Sequence, residues 1–466
     1  MTPRRRARAL ALARPATNPA AGLLAFLLLL AAFVLSAAPA RAIDIERVVS
    51  PGGIEAWLVR DDKNPIISIQ FAFDGGSELD PAAKLGLASM TMSLLDEGAG
   101  DLDSQAFQKK LEDNSIGLGF SAGRDGIFGS VTTLKETKDL AFDLARMALT
   151  QPRFDTEAVE RIRNQIMAGL KRSQADPNYW AQLAFSQAVF PDHPYGKQSR
   201  GTLETIPAIT RDDLAAFPKA RFGRDKLTVA AAGDITAAEL AAALDKIFGT
   251  LPAKAEPFTV ADVAPKGAGS VIAVPRPIPQ TIMVMGTQGL KRDDPDWFAG
   301  VILNYVLGGG SFSSRLMEEV REKRGLTYGV SSSLQPFEHA ALLVVGGSTA
   351  NEKAGDAVKV IREVWADVGQ KGITAEELKN AQTYLTGSFP LTLTNTGSIA
   401  GILLQVQRDN LGIDYLNRRN DLINKVTLDD VNRVARKLLD PANLATVVVG
   451  QPAGVTPTAT AFGEKG

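Results

Sequence analysis

Residues 209–233 align without a gap on residues 426–450, every equivalent pair 217 positions apart. Ile209-Thr-Arg-Asp-Asp-Leu214 leads through a basic helical stretch into Leu227-Thr-Val-Ala-Ala-Ala-Gly233, and Val426-Thr-Leu-Asp-Asp-Val431 leads likewise into Leu444-Ala-Thr-Val-Val-Val-Gly450. Each copy opens on Thr-x-x-Asp, at Thr210/Asp213 and Thr427/Asp430, which predicts a capped helix start. Each closes on an apolar, β-rich run stopped by glycine. Cap, spacing and strand recurring together predict two copies of one unit, each roughly 200 residues and large enough for its own core.

The beginnings of the halves also correspond. Ile66–Phe73 and Thr281–Met285 read as strands, each followed by a turn containing Asp-Pro (Asp80-Pro81, Asp294-Pro295) and then an apolar helix. Ser130–Leu134 and Leu342–Val345 are predicted strands that precede amphipathic helices. In the first of these helices Leu140, Leu144, Met147 and Ala148 share a face. Thr374-Ala-Glu-Glu377 predicts a further capped helix. Strands and helices are mixed at hairpin-like spacing, so the predicted class is α+β, with two similar domains that each pack a mainly antiparallel sheet with helices. Pro252, Pro257 and Pro265 mark 251–269 as the linker. The expected domains are therefore 43–250 and 270–453, with 454–466 as a flexible tail.

Five arginines, Arg4, Arg5, Arg6, Arg8 and Arg14, precede a charge-free run from Pro15 to Ala40. That run ends in Ala40-Arg41-Ala42, the small-x-small pattern of a signal-peptidase site, so residues 1–42 read as a cleaved signal peptide. The alternative is an uncleaved membrane anchor, for which the apolar stretch is short; after cleavage no stable span is expected. Removing the segment's six arginines leaves 45 basic against 52 acidic residues, with no basic run. That balance disfavours nucleic acid as a partner on charge alone. The chain has no cysteine, which suits an exported protein with two large cores and points to the periplasm of a Gram-negative bacterium.

Catalytic motifs are scarce. There is no Gly-x-Ser-x-Gly elbow, no Ser-x-x-Lys and no Walker loop, and Gly117-Leu-Gly119 lacks the third glycine of a dinucleotide fingerprint. The only histidines are His193 and His339, and neither has another within a helical turn. A three-ligand zinc site would need Asp or Glu almost throughout, which suits zinc poorly. His193, in the turn His-Pro-Tyr-Gly, reads as a structural histidine, and His339 as an exposed one.

Gly86-Leu-Ala-Ser-Met-Thr-Met-Ser-Leu-Leu95, His193-Pro-Tyr-Gly196 and Gly308-Gly-Gly-Ser-Phe-Ser-Ser-Arg-Leu-Met-Glu-Glu-Val-Arg-Glu-Lys-Arg-Gly-Leu-Thr-Tyr328, set in two repeated halves, resemble peptidase family M16, the insulinase or mitochondrial-processing-peptidase-like family. The resemblance implies two domains of the LuxS/metallohydrolase-like kind. In active relatives His-x-x-Glu-His binds zinc and supplies the general base, and a second Glu further along completes the site. Laid on this sequence, those positions fall on Ser89, Met92, Ser93 and Gly169. The family's substrate-contacting Arg and Tyr fall on Arg321 and Tyr328, with Arg324 as the alternative arginine one helical turn from Tyr328. A phenol O–H can stabilise the oxyanion formed in peptide cleavage, and a guanidinium can fork onto a carbonyl or carboxylate. Gly309 and Gly310 would let backbone pass close to a bound peptide.

The resemblance therefore implies a non-catalytic, substrate-binding subunit of an exported heterodimeric zinc metallopeptidase. This chain would bind no cofactor. Zinc would reside in a partner subunit carrying His-x-x-Glu-His, and the substrate would be a peptide or unfolded polypeptide. The alternative is a non-enzymatic scaffold or peptide-binding protein of the same fold.

Overall fold

A computed structural model describes residues 43–462. The expected signal peptide, 1–42, and the last four residues of the expected tail lie outside the described residues.

The first half builds a six-stranded sheet from β1 (Glu46–Val49), β2 (Glu55–Arg60), β3 (Ile66–Asp74), β4 (Gly117–Ala122), β5 (Gly126–Leu134) and β6 (Leu227–Gly233), in the order β1-β2-β6-β3-β5-β4. The second half uses β7 (Val271–Pro275), β8 (Gln280–Gln288), β9 (Val330–Pro336), β10 (Ala341–Ala350), β11 (Ala445–Gly450) and β12 (Ala459–Thr460), in the order β12-β7-β11-β8-β10-β9. From the second strand inward the two orders match. β2 pairs parallel with β6 as β7 does with β11, and the remaining inner pairs are antiparallel. The repeated segments hold equivalent places. Thr210 and Thr427 each form a two-way capping box with the Asp three residues on, and β6 and β11 occupy the same position in their sheets.

The outer edges differ. In the first sheet the edge is β1, antiparallel to β2, whereas in the second it is β12, drawn from the chain's end and parallel to β7. This corrects the expectation of a flexible tail from residue 454. The Arg276 guanidinium donates to the Phe462 carbonyl, and Phe462 packs on Trp180 with ring centroids 5.2 Å apart. The partner strand β7 lies far upstream in the chain, so nothing local in the tail announces the pairing.

β3, β6, β8 and β11 are buried on both faces, which is why they read as apolar runs with little alternation. One face of each meets its own half. Ile67, Ile69, Phe71 and Phe73 enter the first core, and Met283, Met285 and Val448 enter the second. The other face is covered by a helix from the opposite half. Pro177–Val189 of the first half lies on β11, β8 and β7, and Thr396–Arg408 of the second half lies on β6, β3 and β2.

The first of these contacts is a third apolar cluster, in which Trp180, Phe185 and Val189 meet Val284, Val447 and Val449. Here Gly286 is required, since a Cβ there would sit 2.6 Å from the Phe185 ring. The second contact is leaner. Small residues of β3 and β6 face the helix, Ser68 bonds Thr396 at 2.9 Å, and Gln407 donates to the Val229 carbonyl. The stretch 251–269 carries neither helix nor strand and is pinned at intervals, for instance by Ala255 N–H to Asp225 and Val263 N–H to the His339 carbonyl.

Candidate functional site

The helix Leu87–Met92 starts at Gly86, whose φ of 93° and close approach to the Arg200 carbonyl only glycine tolerates. The Asp80 carboxylate caps it, accepting the N–H groups of Gly86 and Ala88 at 2.8 and 3.0 Å. Three of the four degenerate positions lie on or just past this short helix. Ser89 is half-buried. Met92, 1% exposed, belongs to the first core. Ser93 is exposed at the helix end, where its hydroxyl donates to the Ser89 carbonyl at 3.0 Å. Gly169 lies on Thr156–Gln174, a helix packed beside the first. Two hydroxyls, a core thioether and a glycine without a side chain make a donor set that does not fit a catalytic zinc ion. Among the described residues no group of three or more His, Cys, Asp or Glu is arranged to hold a metal.

Arg321 and Tyr328 come from a stretch of irregular helix. Trp297–Asn304 widens into a π turn at Tyr305–Gly309. A 3-10 turn follows at Ser311–Ser313, and the chain then enters a second π turn at Met317–Glu322. Such turns are uncommon and recur at functional sites. Gly325, at φ 57°, ends the segment with its N–H on the Arg321 carbonyl. Tyr328 lies between this end and β9, 85% exposed.

Arg321 and Tyr328 line one cleft of about 670 Å³, together with Gln280, Leu326, Thr349 and Lys353. The Arg321 guanidinium also stacks 4.7 Å from the centre of the Phe312 ring, itself 65% exposed. Arg324 is placed elsewhere. It is held by the carboxylate and carbonyl of Glu319 at 2.5 and 2.8 Å, and it faces a separate acidic cleft with Glu318, Glu363, Asp367 and Glu377. Gly309 and Gly310 serve the chain's own closure: a Cβ would fall 2.6 Å from the Asn304 amide nitrogen or 2.7 Å from the Tyr305 carbonyl oxygen. Neither lines the cleft. Phe312 and Lys353 escaped sequence reasoning. An aromatic residue in a run of Gly and Ser was the only signal for the first, and Lys353 is brought in solely by the sheet.

Both histidines are structural. His193 is buried, with Nε2 3.0 Å from the Ala261 carbonyl oxygen and Nδ1 accepting the Tyr195 N–H; burial pushes its pKa below the ordinary value. His339 is not exposed as the sequence suggested. Its side chain is 16% accessible, because the β9–β10 turn seats it against the first half. Its Nδ1 lies 3.3 Å from an Asp262 oxygen and its Nε2 3.8 Å from Glu78 Oε2. Around it the Tyr195 hydroxyl donates to Asp125 and accepts the His339 N–H, and the Glu338 N–H donates to the other Asp125 oxygen at 3.1 Å. Burial, followed by the neighbouring Asp125 charge, pushes Glu78 up to about 8. Beside this network a cavity of about 960 Å³ opens between the halves, with Asp74, Arg124, Asp125, Glu338 and Arg408 in its wall.

Residues 208–385 match a family model described as "Peptidase M16 inactive domain". The chain is 28% identical over 376 residues to a Helicobacter pylori protein described as non-peptidase homolog YmxG, covering 79% of this chain and 85% of that one. It is 31% identical over 310 residues to an uncharacterized zinc protease of Mycobacterium bovis, covering 64% of this chain and 69% of that one. The crystal structure of a peptidase M16 inactive domain from Pseudomonas fluorescens superposes with a TM-score of 0.82 at 28% identity, covering 89% of this chain and all of that one.

Proposed function

The chain belongs to peptidase family M16, and from that premise we propose that it is the non-catalytic, substrate-binding subunit of a two-chain zinc metallopeptidase. The observation that carries this reading is the contrast between its two halves. The zinc positions hold Ser89, Met92, Ser93 and Gly169, which offer no imidazole or carboxylate, while Arg321 and Tyr328 face one open cleft. The Helicobacter pylori relative's description as a non-peptidase supports an inactive role, although other relatives are described as zinc proteases.

In this reading the partner subunit carries His-x-x-Glu-His, its zinc and the attacking water. This chain holds the peptide: the Arg321 fork engages a substrate carbonyl or carboxylate, and the Tyr328 O–H reaches toward the carbonyl oxygen where charge develops. The arginine-rich, apolar start ending in Ala40-Arg41-Ala42 supports export to the periplasm. The test is reconstitution. The purified chain should neither bind zinc nor cleave peptides, and mixing it with an M16 subunit that carries His-x-x-Glu-His should generate chelator-sensitive peptidase activity. Chelator-sensitive cleavage by the isolated chain would overturn the proposal.

The Helicobacter pylori description also favours a second reading, a non-enzymatic scaffold. In that case substituting Arg321 and Tyr328 together would leave the partner's activity unchanged.

A further inference from the structure

The joint between the halves at the β9–β10 turn contains more carboxylates than its hydrogen bonds can satisfy while all are ionised. The Glu78 side chain is 1% exposed, and its Oε2 is a buried oxygen without a hydrogen-bond partner. Asp125, whose charge acts on Glu78 after burial, accepts on both oxygens, from the Tyr195 hydroxyl and the Glu338 N–H. A buried carboxylate beside a second one is stable only if a proton is shared between them.

The charged and titratable groups facing the pair come from every element packed around it. Glu338 and His339 lie on the β9–β10 turn, Asp74 ends β3, and Arg124 neighbours Asp125. Tyr195 lies on the 3-10 turn Pro194–Gly196, preceded by the buried His193, which feels the Asp125 and His339 charges, and Arg408 ends the helix Thr396–Arg408, where it donates to the Asp125 carbonyl. Asp262 reaches the site through His339. The arginines are bound to main-chain carbonyls, Arg124 to that of Tyr195 and Arg408 to that of Asp125.

We propose that Glu78 and Asp125 form a proton-dependent latch between the two halves. With one proton held between them, Asp125 keeps Tyr195 and the β9–β10 turn in place; when that proton leaves, two facing carboxylates loosen the joint beside the cavity.

Glu78 titrates higher in the fold than in an unfolded chain, so the folded state holds its proton more tightly. The latch is therefore complete at low pH and is lost as pH rises through about 8.

Amide hydrogen exchange of the full chain tests this, read at the N–H groups of Glu338 and His339 and corrected for intrinsic exchange chemistry. Between roughly pH 6 and pH 9.5 their protection should fall by about tenfold while that of β11 holds steady. Glu78→Gln, which keeps the shape and cannot ionise, should abolish the pH dependence. Should that variant fail to fold, Glu78→Met, which also cannot ionise and leaves Asp125 intact, serves the same purpose. Protection in the wild-type chain that does not change with pH would overturn the latch, and so would a folded variant with the wild-type profile.

Discussion

The Tyr195 hydroxyl lies 2.5 Å from an Asp125 oxygen, to which it donates, and 3.0 Å from the His339 nitrogen, whose N–H it accepts. A single phenol thus ties a strand turn of the first half to a strand turn of the second. Tyr195→Phe would leave the ring in place among Phe190, His193 and Phe337 but strip both partners of their bond. It should destabilise the protein by about 1–3 kcal/mol, since buried groups left unsatisfied bear the full desolvation penalty. Denaturant unfolding of the two proteins, compared at constant slope, measures it.

Tyr328 is the opposite case. It stands in solvent at the cleft, so Tyr328→Phe should leave the unfolding midpoint unchanged. In the assembled pair, turnover should fall by about 10²-fold with little change in KM, the pattern of a group that acts only as charge develops. A change in KM alone would show that the phenol only helps to bind substrate.

Met92, which the family resemblance sets at the general-base position, belongs to the first core. A carboxylate placed there would be buried at a site 1% exposed, within an apolar cluster. Met92→Glu should cost about 3–5 kcal/mol, and less at acid pH where the group is neutral. Unfolding measured at two pH values would show both effects.

Cutting the chain within 251–269 should not separate the halves. Trp180, Phe185 and Val189 remain buried on the second sheet, and apolar side chains of this size contribute about 1.5–3 kcal/mol each. A protease-nicked sample should therefore elute as one species in size-exclusion chromatography and divide only in denaturant.

The repeat is legible in the sequence alone, and so is the lack of an imidazole or carboxylate at Ser89, Met92, Ser93 and Gly169. The 217-residue offset yields two equivalent sheets because each copy carries its own cap, helix and strand, and local signals of that kind survive without tertiary context. The degenerate donor set is equally a matter of sequence: no fold gives Met92 or Gly169 an imidazole. Tertiary structure decided what depends on residues far apart in the chain. Helical spacing cannot say that Pro177–Val189 will cover the other half's sheet, because a helix's apolar face does not specify which sheet it meets. Arg321 and Arg324 lie three residues apart, the first in the π turn Met317–Glu322 and the second just past it. Two π turns and the hold of Glu319 direct one toward Tyr328 and the other to a different cleft. Glu78 looks like any acidic residue in a turn, and its burial depends on tertiary contacts, among them His339 from 261 positions downstream and the turn Pro194–Gly196.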